Sequence, residues 1–284
     1  MDAASIGYAR CREVTRANGK SFYFASMALP LERKLAAYAI YSFLRRLDDM
    51  IDESAETDRA ARLKDARKLV ELLFDGIVPA GNPELVALRD TTIRFQLERQ
   101  PFRDMLDGMQ MDLDDTDYVS GADLDLYCYR VAGTVGLMIA PVFGARDRAA
   151  AQPAAALGQA MQLTNILRDI AEDRGRGRVY LARADMQRFG VVAADLVKAT
   201  PAVAALIAFY VHRARGLYAE ALHGVHYLDG FFSRVCVRMM AGIYGDILHV
   251  IEKREYDVFS SRAVVPTWRK LWLAVKAVVQ ELRS

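Results

Sequence analysis

The sequence is poor in the residues that build disulfide-linked or zinc-bound folds. Its 284 residues include only 3 cysteines, which stand far apart at Cys11, Cys128 and Cys236 and form no CxxC pair. This spacing gives no disulfide framework and no structural zinc motif. An odd number of cysteines with apolar neighbours is typical of a reducing compartment, so we expect a cytoplasmic protein. The 4 histidines form no HExxH motif either.

Excess charge and long apolar runs are lacking as well. The 38 basic and 36 acidic residues nearly balance, which gives no general case for nucleic-acid binding. The apolar, uncharged run at residues 131 to 145 is shorter than the ~20 residues that a spanning helix needs. The beginning of the sequence shows no apolar signal-peptide core. A mean hydropathy of +0.04 is high for a soluble protein and leaves peripheral membrane contact open.

Helical periodicity fills most of the chain. Apolar residues are 53% and charged residues 26%, enough for a sizeable core. Apolar positions recur at spacings of three and four, and no strand-like alternation or fixed repeat is found. We predict a single all-α domain over residues 1–284, with helices at 31–50, 60–75, 84–100, 102–113, 122–140, 154–173, 202–223, 231–254 and 267–282.

One predicted helix carries a polar stripe beside its apolar face. With about 100° per residue, Gln162, Asn165, Asp169 and Asp173 fall within a stripe roughly 80° wide. Apolar residues such as Leu163 and Ile170 border this stripe, so the carboxylates lie next to the face that should be buried. Buried carboxylates are costly unless they are paired or bound to a metal.

A second predicted helix repeats this arrangement. In "YAIYSFLRRLDDMIDE" the polar stripe contains Tyr38, Tyr41, Arg45, Asp48 and Asp52 between apolar neighbours. Two such helices facing each other would form an acidic cage that requires cations. Magnesium fits because it takes oxygen ligands and keeps substrate phosphates in its shell; manganese is the alternative ion.

Arginines beside both acidic stripes indicate that an anion shares the site. "RGRGR" at 174 to 178 follows the first stripe and is interpreted as a mobile flap over phosphate, whereas elsewhere it would indicate a solubility or nucleic-acid tract. A single DxxxD motif is usually a solvated helix face, but two on apolar helices favour a site. "MDLDDTD" at 111 to 117 lacks the glycine and closing glutamate of a calcium loop, although Asp112 could still belong to the site.

Four segments of the chain resemble the squalene/phytoene synthase family: "SFYFASMALP", "YSFLRRLDDMIDE", "LYCYRVAGTVG" and "QLTNILRDIAEDRGRGRVYL". The resemblance runs from about residue 17 to "RAVVPTWRKLWLA" near the end. It implies an all-α isoprenoid-synthase-type bundle around a central apolar cavity. The implied reaction is the magnesium-dependent, head-to-head condensation of two prenyl diphosphates through a cyclopropylcarbinyl diphosphate.

The resemblance also implies roles for particular residues. The metal-binding acids would be Asp48, Asp52, Asp169 and Asp173. The positions associated with catalysis are Tyr41, Arg45 and Tyr129. Those associated with substrate or diphosphate are Lys20, Ser21, Phe22, Ser26, Tyr38, Gln162, Asn165, Arg168, Tyr244 and Arg262.

The product depends on what blocks the far end of the substrate pocket. A small Ser26 in the wall would lengthen the pocket, which favours two C20 geranylgeranyl chains and phytoene. No nicotinamide-binding fingerprint is present, and forming phytoene or dehydrosqualene needs no reductant. The alternatives are a C15-using synthase that makes dehydrosqualene, presqualene diphosphate or squalene, a terpene cyclase, and a non-catalytic relative that serves as an assembly or binding protein.

Overall fold

In this computed structural model the chain is described over residues 2–52, 56–114 and 116–283, without the side chains of residues 51, 52 and 56. Within these ranges it forms helices, turns and one isolated bridge between Ala145 and Leu228. The prediction of an all-α fold is confirmed. The α-helices are α1 (Ala3–Asn18), α2 (Lys20–Ser26), α3 (Leu31–Asp52), α4 (Glu56–Phe74), α5 (Pro83–Arg94), α6 (Gln100–Leu113), α7 (Gly121–Cys128), α8 (Thr134–Val142), α9 (Ala151–Gly175), α10 (Arg183–Arg188), α11 (Pro201–His223), α12 (Phe231–Lys253) and α13 (Thr267–Arg283).

Side-chain caps fix where several helices begin. Asp2, Asn82 and Thr200 each accept a hydrogen bond from a backbone N–H in the first turn of α1, α5 and α11. Ser120 and Asp123 form a reciprocal capping box at the beginning of α7. These local contacts satisfy N–H groups that have no partner within the helix.

Helix α9 lies at the centre of the bundle. It packs against α8, α11 and α12, and its apolar side chains Leu163, Ile166, Leu167 and Ile170 are buried in the main core. Helices α1, α3 and α5 pack together beside it around a smaller cluster that includes Tyr8, Cys11 and Tyr38. Helices α3 and α9 both contribute to the wall of an internal cavity.

Several of the predicted helices differ from the structure. The helix predicted for 84–100 ends at Arg94, because Gln96 adopts a φ of +51° that an α-helix does not allow. The helix predicted for 122–140 is interrupted by a π-helical turn at Tyr129–Gly133, here called the π turn. Helices α1, α2 and α10 were not predicted.

Glycines allow the π turn and α8 to lie directly against α9. A Cβ atom at Gly158 would overlap the carbonyl oxygen of Ala132 in the π turn, and one at Gly136 would overlap that of Ala154. The backbones are therefore in contact where the cavity wall forms. Among the described residues, no helix has the length and apolarity needed to cross a lipid bilayer.

Candidate active site

An apolar cavity of about 1110 Å³, including its open mouth, runs between α3, α8, α9, α11 and α12. Residues Pro153, Leu157, Met161 and Asn165 of α9 line one side at helical spacing. Twelve residues separate Pro153 from Asn165, so the cavity extends for about 18 Å along this helix. Its walls carry mostly apolar side chains, which suits a long hydrocarbon chain.

The polar end of the cavity combines residues from both predicted stripes. Tyr41 of α3, Gln162 and Asn165 of α9, and Tyr244 of α12 all line the cavity. Tyr41 also stacks on Phe22 of α2, with ring centroids 5.5 Å apart. The structure therefore brings the α3 and α9 stripes to one cavity, as the sequence predicts.

The ionic groups of α3 lie close to the Tyr41 hydroxyl. Burial is the main reason why the pKa of Tyr41 is raised; the Arg45 charge opposes the shift, and Tyr244, Asp48 and Asp49 add to it. Arg45 forms an ion pair with Asp49 one turn along the helix, and its Nε is buried without a hydrogen-bond partner. A buried donor of this kind is suited to an incoming anion. The side chain of Asp52, also predicted as a metal ligand, lies outside the described residues.

Asp169 on α9 is held between two arginines. Arg168 donates to it at 2.9 and 2.5 Å, and Arg262 donates at 2.8 and 3.1 Å. Burial acts to raise the pKa of Asp169, but the hydrogen bonds from Arg168 and Arg262 outweigh it, so the pKa is lowered. Arg262 lies 93 residues further along the chain, which the helical pattern of α9 could not reveal.

Asp173, one turn beyond Asp169, is an unfavourable place for a negative charge. Burial raises the pKa of Asp173 to about 6, and the charges of Asp169 and Glu172 contribute, although Arg176 and Arg178 oppose the shift. The two α9 carboxylates therefore repel each other in a half-buried environment. A divalent cation would relieve this repulsion.

The donor chemistry of these acids fits magnesium. Among the side chains that the structure describes, no three acidic, histidine or cysteine groups converge into a complete metal site. Magnesium does not require such a cage, because one or two carboxylates usually hold it together with waters and substrate phosphates. Asp48 lies close enough to cavity-lining Tyr41 for its charge to act on that hydroxyl, and Asp169 lies one helical turn beyond cavity-lining Asn165, so both offer oxygen donors near the polar end of the cavity. Arg168 and Arg262 would have to move from Asp169 toward the substrate anion for Asp169 to bind a metal fully.

A buried tyrosine cluster adjoins the α9 acids. Tyr127 and Tyr180 each donate a hydrogen bond of 3.1 Å to Asp112, and their rings stack with centroids 5.0 Å apart. The pKa of Tyr180 is raised to about 12, chiefly by burial and then by Asp112, with Asp173 contributing. The cluster therefore reaches the predicted metal site. The sequence pattern leaves the role of Asp112 in the site open. It does not single out Tyr127, although Leu124, Tyr127 and Cys128 have the spacing of a buried helix face.

Tyr129, Ser26 and Tyr38 are among the predicted site residues that do not line the cavity. The Tyr129 hydroxyl donates to Asp104 at 3.2 Å, since the π turn directs this side chain toward α6. Ser26 is buried, and its hydroxyl bonds to the carbonyl of Tyr23 and to Tyr38. Tyr38 belongs to the smaller core cluster beside α1. Ser26 and Tyr38 thus fill the α2–α3 contact rather than the cavity wall that sequence analysis expected.

The beginning of α2 closes one side of the mouth. Gly19 lies against the Tyr41 ring, so Lys20 begins α2 next to the cavity and is exposed. Ser21 accepts a hydrogen bond of 3.2 Å from Lys270 of α13. Both residues therefore lie near the polar end where the resemblance places the diphosphate.

The "RGRGR" segment ends α9 in a defined turn. Gly177 has a φ of +79°, the Arg178 N–H bonds to the Asp173 carbonyl, and the Gly177 N–H bonds to that of Arg174. This is the hydrogen-bond pattern of a Schellman helix end. Arg174 donates to the Ala193 carbonyl and Arg176 to Glu172. Arg178 of this segment lies close enough to the tyrosine cluster for its charge to oppose the rise in the pKa of Tyr180.

Together, the helical bundle, the apolar cavity and the arginines near its polar end define a class of protein suited to a long hydrocarbon chain that carries an anionic group. Comparisons with known proteins narrow the class. The family model described as squalene/phytoene synthase matches residues 15–269. The 15-cis-phytoene synthase of Synechococcus elongatus is 41% identical, over 95% of this chain and 92% of that protein. The phytoene synthase of Arthrospira platensis is also 41% identical, over 94% and 91%.

Solved structures agree with the sequence relatives. A dehydrosqualene synthase crystallised with a ligand superposes with a TM-score of 0.92 and 34% identity, over 99% of this chain and 98% of that one. The squalene synthase HpnC from Alicyclobacillus acidocaldarius superposes with a TM-score of 0.82 and 28% identity, over 90% and 99%. The chain belongs to the squalene/phytoene synthase family.

Proposed function

We propose that this prenyltransferase condenses two geranylgeranyl diphosphates head to head to form phytoene, with release of diphosphate. The observation that carries the proposal is the apolar cavity whose polar end combines Tyr41 with Gln162 and Asn165. The relatives named phytoene synthase, about 40% identical over nearly the full chain, support the C20 substrate and this product. The proposal treats residues 1–284 as one domain.

Different residues at the polar end of the cavity would bind the diphosphate anion and the metal cation. Arg45, Arg168 and Arg262 neutralise diphosphate oxygens by charge-assisted hydrogen bonds, and Asn165 and Gln162 orient it. Asp48, Asp52, Asp169 and Asp173 would hold magnesium, or manganese in its place, and the bound ion would supply Lewis-acid stabilisation of the departing diphosphate. We also propose that the protein is cytoplasmic and contacts a membrane peripherally.

The cavity protects the carbocation that is left when diphosphate departs. Apolar side chains such as Val135, Ile139 and Leu157 keep water from the cation, so that the double bond of the second chain captures it first. Loss of a first proton after this capture closes the cyclopropane ring of the cyclopropylcarbinyl diphosphate. Loss of the second diphosphate, rearrangement and loss of a second proton then give phytoene. The Tyr41 hydroxyl lies at the polar end where it can orient diphosphate as the proton acceptor. Tyr129 remains a predicted catalytic residue, but it would have to leave Asp104 to reach the substrate.

A second candidate uses the same site with shorter chains. The likeness to a dehydrosqualene synthase favours condensation of two C15 farnesyl diphosphates. A non-catalytic binding protein is disfavoured because all four predicted metal acids are present in the sequence.

The test is incubation of purified protein with geranylgeranyl or farnesyl diphosphate, with magnesium or with EDTA, followed by identification of the extracted hydrocarbon. We expect magnesium-dependent phytoene from the C20 substrate without nicotinamide. Asp169→Asn should abolish product, whereas the control Asp58→Asn, at an exposed position of α4, should not. Dehydrosqualene or squalene as the main product would support the C15 candidate, and absence of diphosphate release from either substrate would refute both.

A further inference from the structure

Helix α13 exposes a continuous apolar stripe to solvent. The stripe consists of Trp268, Leu271, Trp272, Val275, Val279 and Leu282, of which Trp268 is 65% and Leu282 72% exposed. At about 100° per residue, these positions fall within roughly 100° of the helix circumference. Leu273 and Ala277 lie on the opposite side and are buried. The helix therefore has two apolar faces, one packed on the protein and one without a partner in the described structure.

Cations border the stripe. Arg269, Lys276 and Arg283 recur every seven residues along one edge, and Lys276 and Arg269 lie over the Trp272 ring at 5.3 and 5.7 Å. Arg269 is engaged by Asp246 of α12, so Lys276 and Arg283 are the cations that this edge presents to solvent. Glu281 is the acidic residue of α13; it faces the protein and pairs with Arg234 and Arg238 of α12. The solvent side of α13 is therefore apolar and basic.

The stripe lies next to the candidate active site. α13 packs along α12, through Leu273 against Gly242 and through Arg269 with Asp246. Val237, Met240 and Tyr244 of the same α12 line the cavity. Lys270 bonds to Ser21, the neighbour of cavity-lining Phe22. One helix layer therefore separates the stripe from the cavity.

We propose that the α13 stripe docks, lying in the plane of the interface, on a lipid bilayer that contains anionic headgroups. Tryptophan and aliphatic side chains beside a row of lysine and arginine are the composition of interfacial helices. The cations would contact lipid phosphates, and the apolar side chains would enter the acyl boundary. This inference rests on the proposed function. A protein docked in this way would allow the hydrophobic substrate and product to pass between the bilayer and the cavity mouth.

Charge favours lipid over a second copy of the chain. Two α13 stripes packed on each other would bring rows of cations together with no exposed acid on either helix to pair them. Anionic headgroups supply the missing negative charge. Self-association is therefore the competing outcome that the experiment must detect.

The test uses the full chain and vesicles of phosphatidylcholine with or without phosphatidylglycerol. The chain contains 2 tryptophans, and both belong to the stripe, so intrinsic fluorescence reports on it directly. We expect a blue shift and co-flotation with phosphatidylglycerol vesicles. Leu271→Glu should weaken vesicle binding about tenfold or more, because it places a charge in the acyl boundary. Lys276→Glu should reduce the preference for phosphatidylglycerol.

Val192→Glu is the matched control, since Val192 is 60% exposed and lies outside α13. It should bind vesicles like the unmodified protein. Absence of a blue shift with phosphatidylglycerol vesicles, or equal binding by Leu271→Glu, would overturn the proposal. So would a lipid-free oligomer, measured by light scattering, that Leu271→Glu dissociates. Turnover of detergent-dispersed substrate by Leu271→Glu separates failure of this proposal from failure of the proposed function, which would abolish turnover in every variant.

Discussion

Replacing Asp173 by asparagine is expected to stabilise the metal-free protein while it abolishes catalysis. The Asp173 carboxyl is half-buried beside Asp169 and Glu172, and its pKa is raised from 3.8 to about 6. The ionised Asp173 carboxylate therefore lowers the free energy of unfolding when no cation is bound. The asparagine side chain would keep a similar shape and one oxygen atom without the charge.

The size of this cost follows from the difference between the two pKa values. Because the pKa of Asp173 is higher in the folded protein than in the unfolded chain, folding is favoured by the protonated carboxyl. That contribution is complete below pH 3.8 and is lost as the pH rises through about 6. The full difference corresponds to about 3 kcal/mol, and solvent screening of a half-buried group reduces the expected gain to about 1–3 kcal/mol.

Urea denaturation in EDTA at about pH 4.5 and pH 8 measures the effect. We expect Asp173→Asn to be more stable than the unmodified protein at the higher pH, with most of the difference lost at the lower pH. Asp58→Asn, at an exposed position, should show no such change. A gain that is equal at both pH values, or no gain at the higher pH, would refute the reasoning that repulsion and burial act on this carboxyl.

Further predictions concern the cavity wall and the anion site. Gly158→Ala should lower the free energy of unfolding by about 1–3 kcal/mol, because its Cβ overlaps the Ala132 carbonyl; Gly216→Ala, with open space around it, should not be destabilised. Ala221→Phe should shift product from C20 toward C15 chains in a mixed-substrate assay, because it fills the cavity, whereas exposed Ala219→Phe should not. Arg262→Gln should raise KM about tenfold by removing a charge-assisted contact, and unchanged KM would exclude Arg262 from diphosphate binding.

The stripes of α3 and α9 could be predicted because helical periodicity is a local property. Gln162, Asn165 and Asp169 follow one another at three- and four-residue spacing, and the buried residues beside them fix which face is internal. Tyr41 and Asn165 line the same cavity. The individual roles of these residues stay predictions.

Tertiary contacts determined what the sequence could not reveal. Tyr127 and Tyr129 both bond to α6, through Asp112 and Asp104, and the π turn that begins at Tyr129 interrupts a helix that the periodicity presents as continuous. Ser26 is as small as a residue in the wall of a long pocket should be, but its hydroxyl forms a hydrogen bond with Tyr38. The amphipathic pattern of α13 likewise predicts a helix but not which of its two faces the protein covers.

A crystal structure with manganese and a non-hydrolysable geranylgeranyl thiodiphosphate tests the central claim most directly. The account predicts anomalous manganese peaks between the α3 and α9 carboxylates, with the prenyl chain extending along α9 toward Pro153. Manganese bound elsewhere, or a prenyl chain lying outside the cavity, would contradict it.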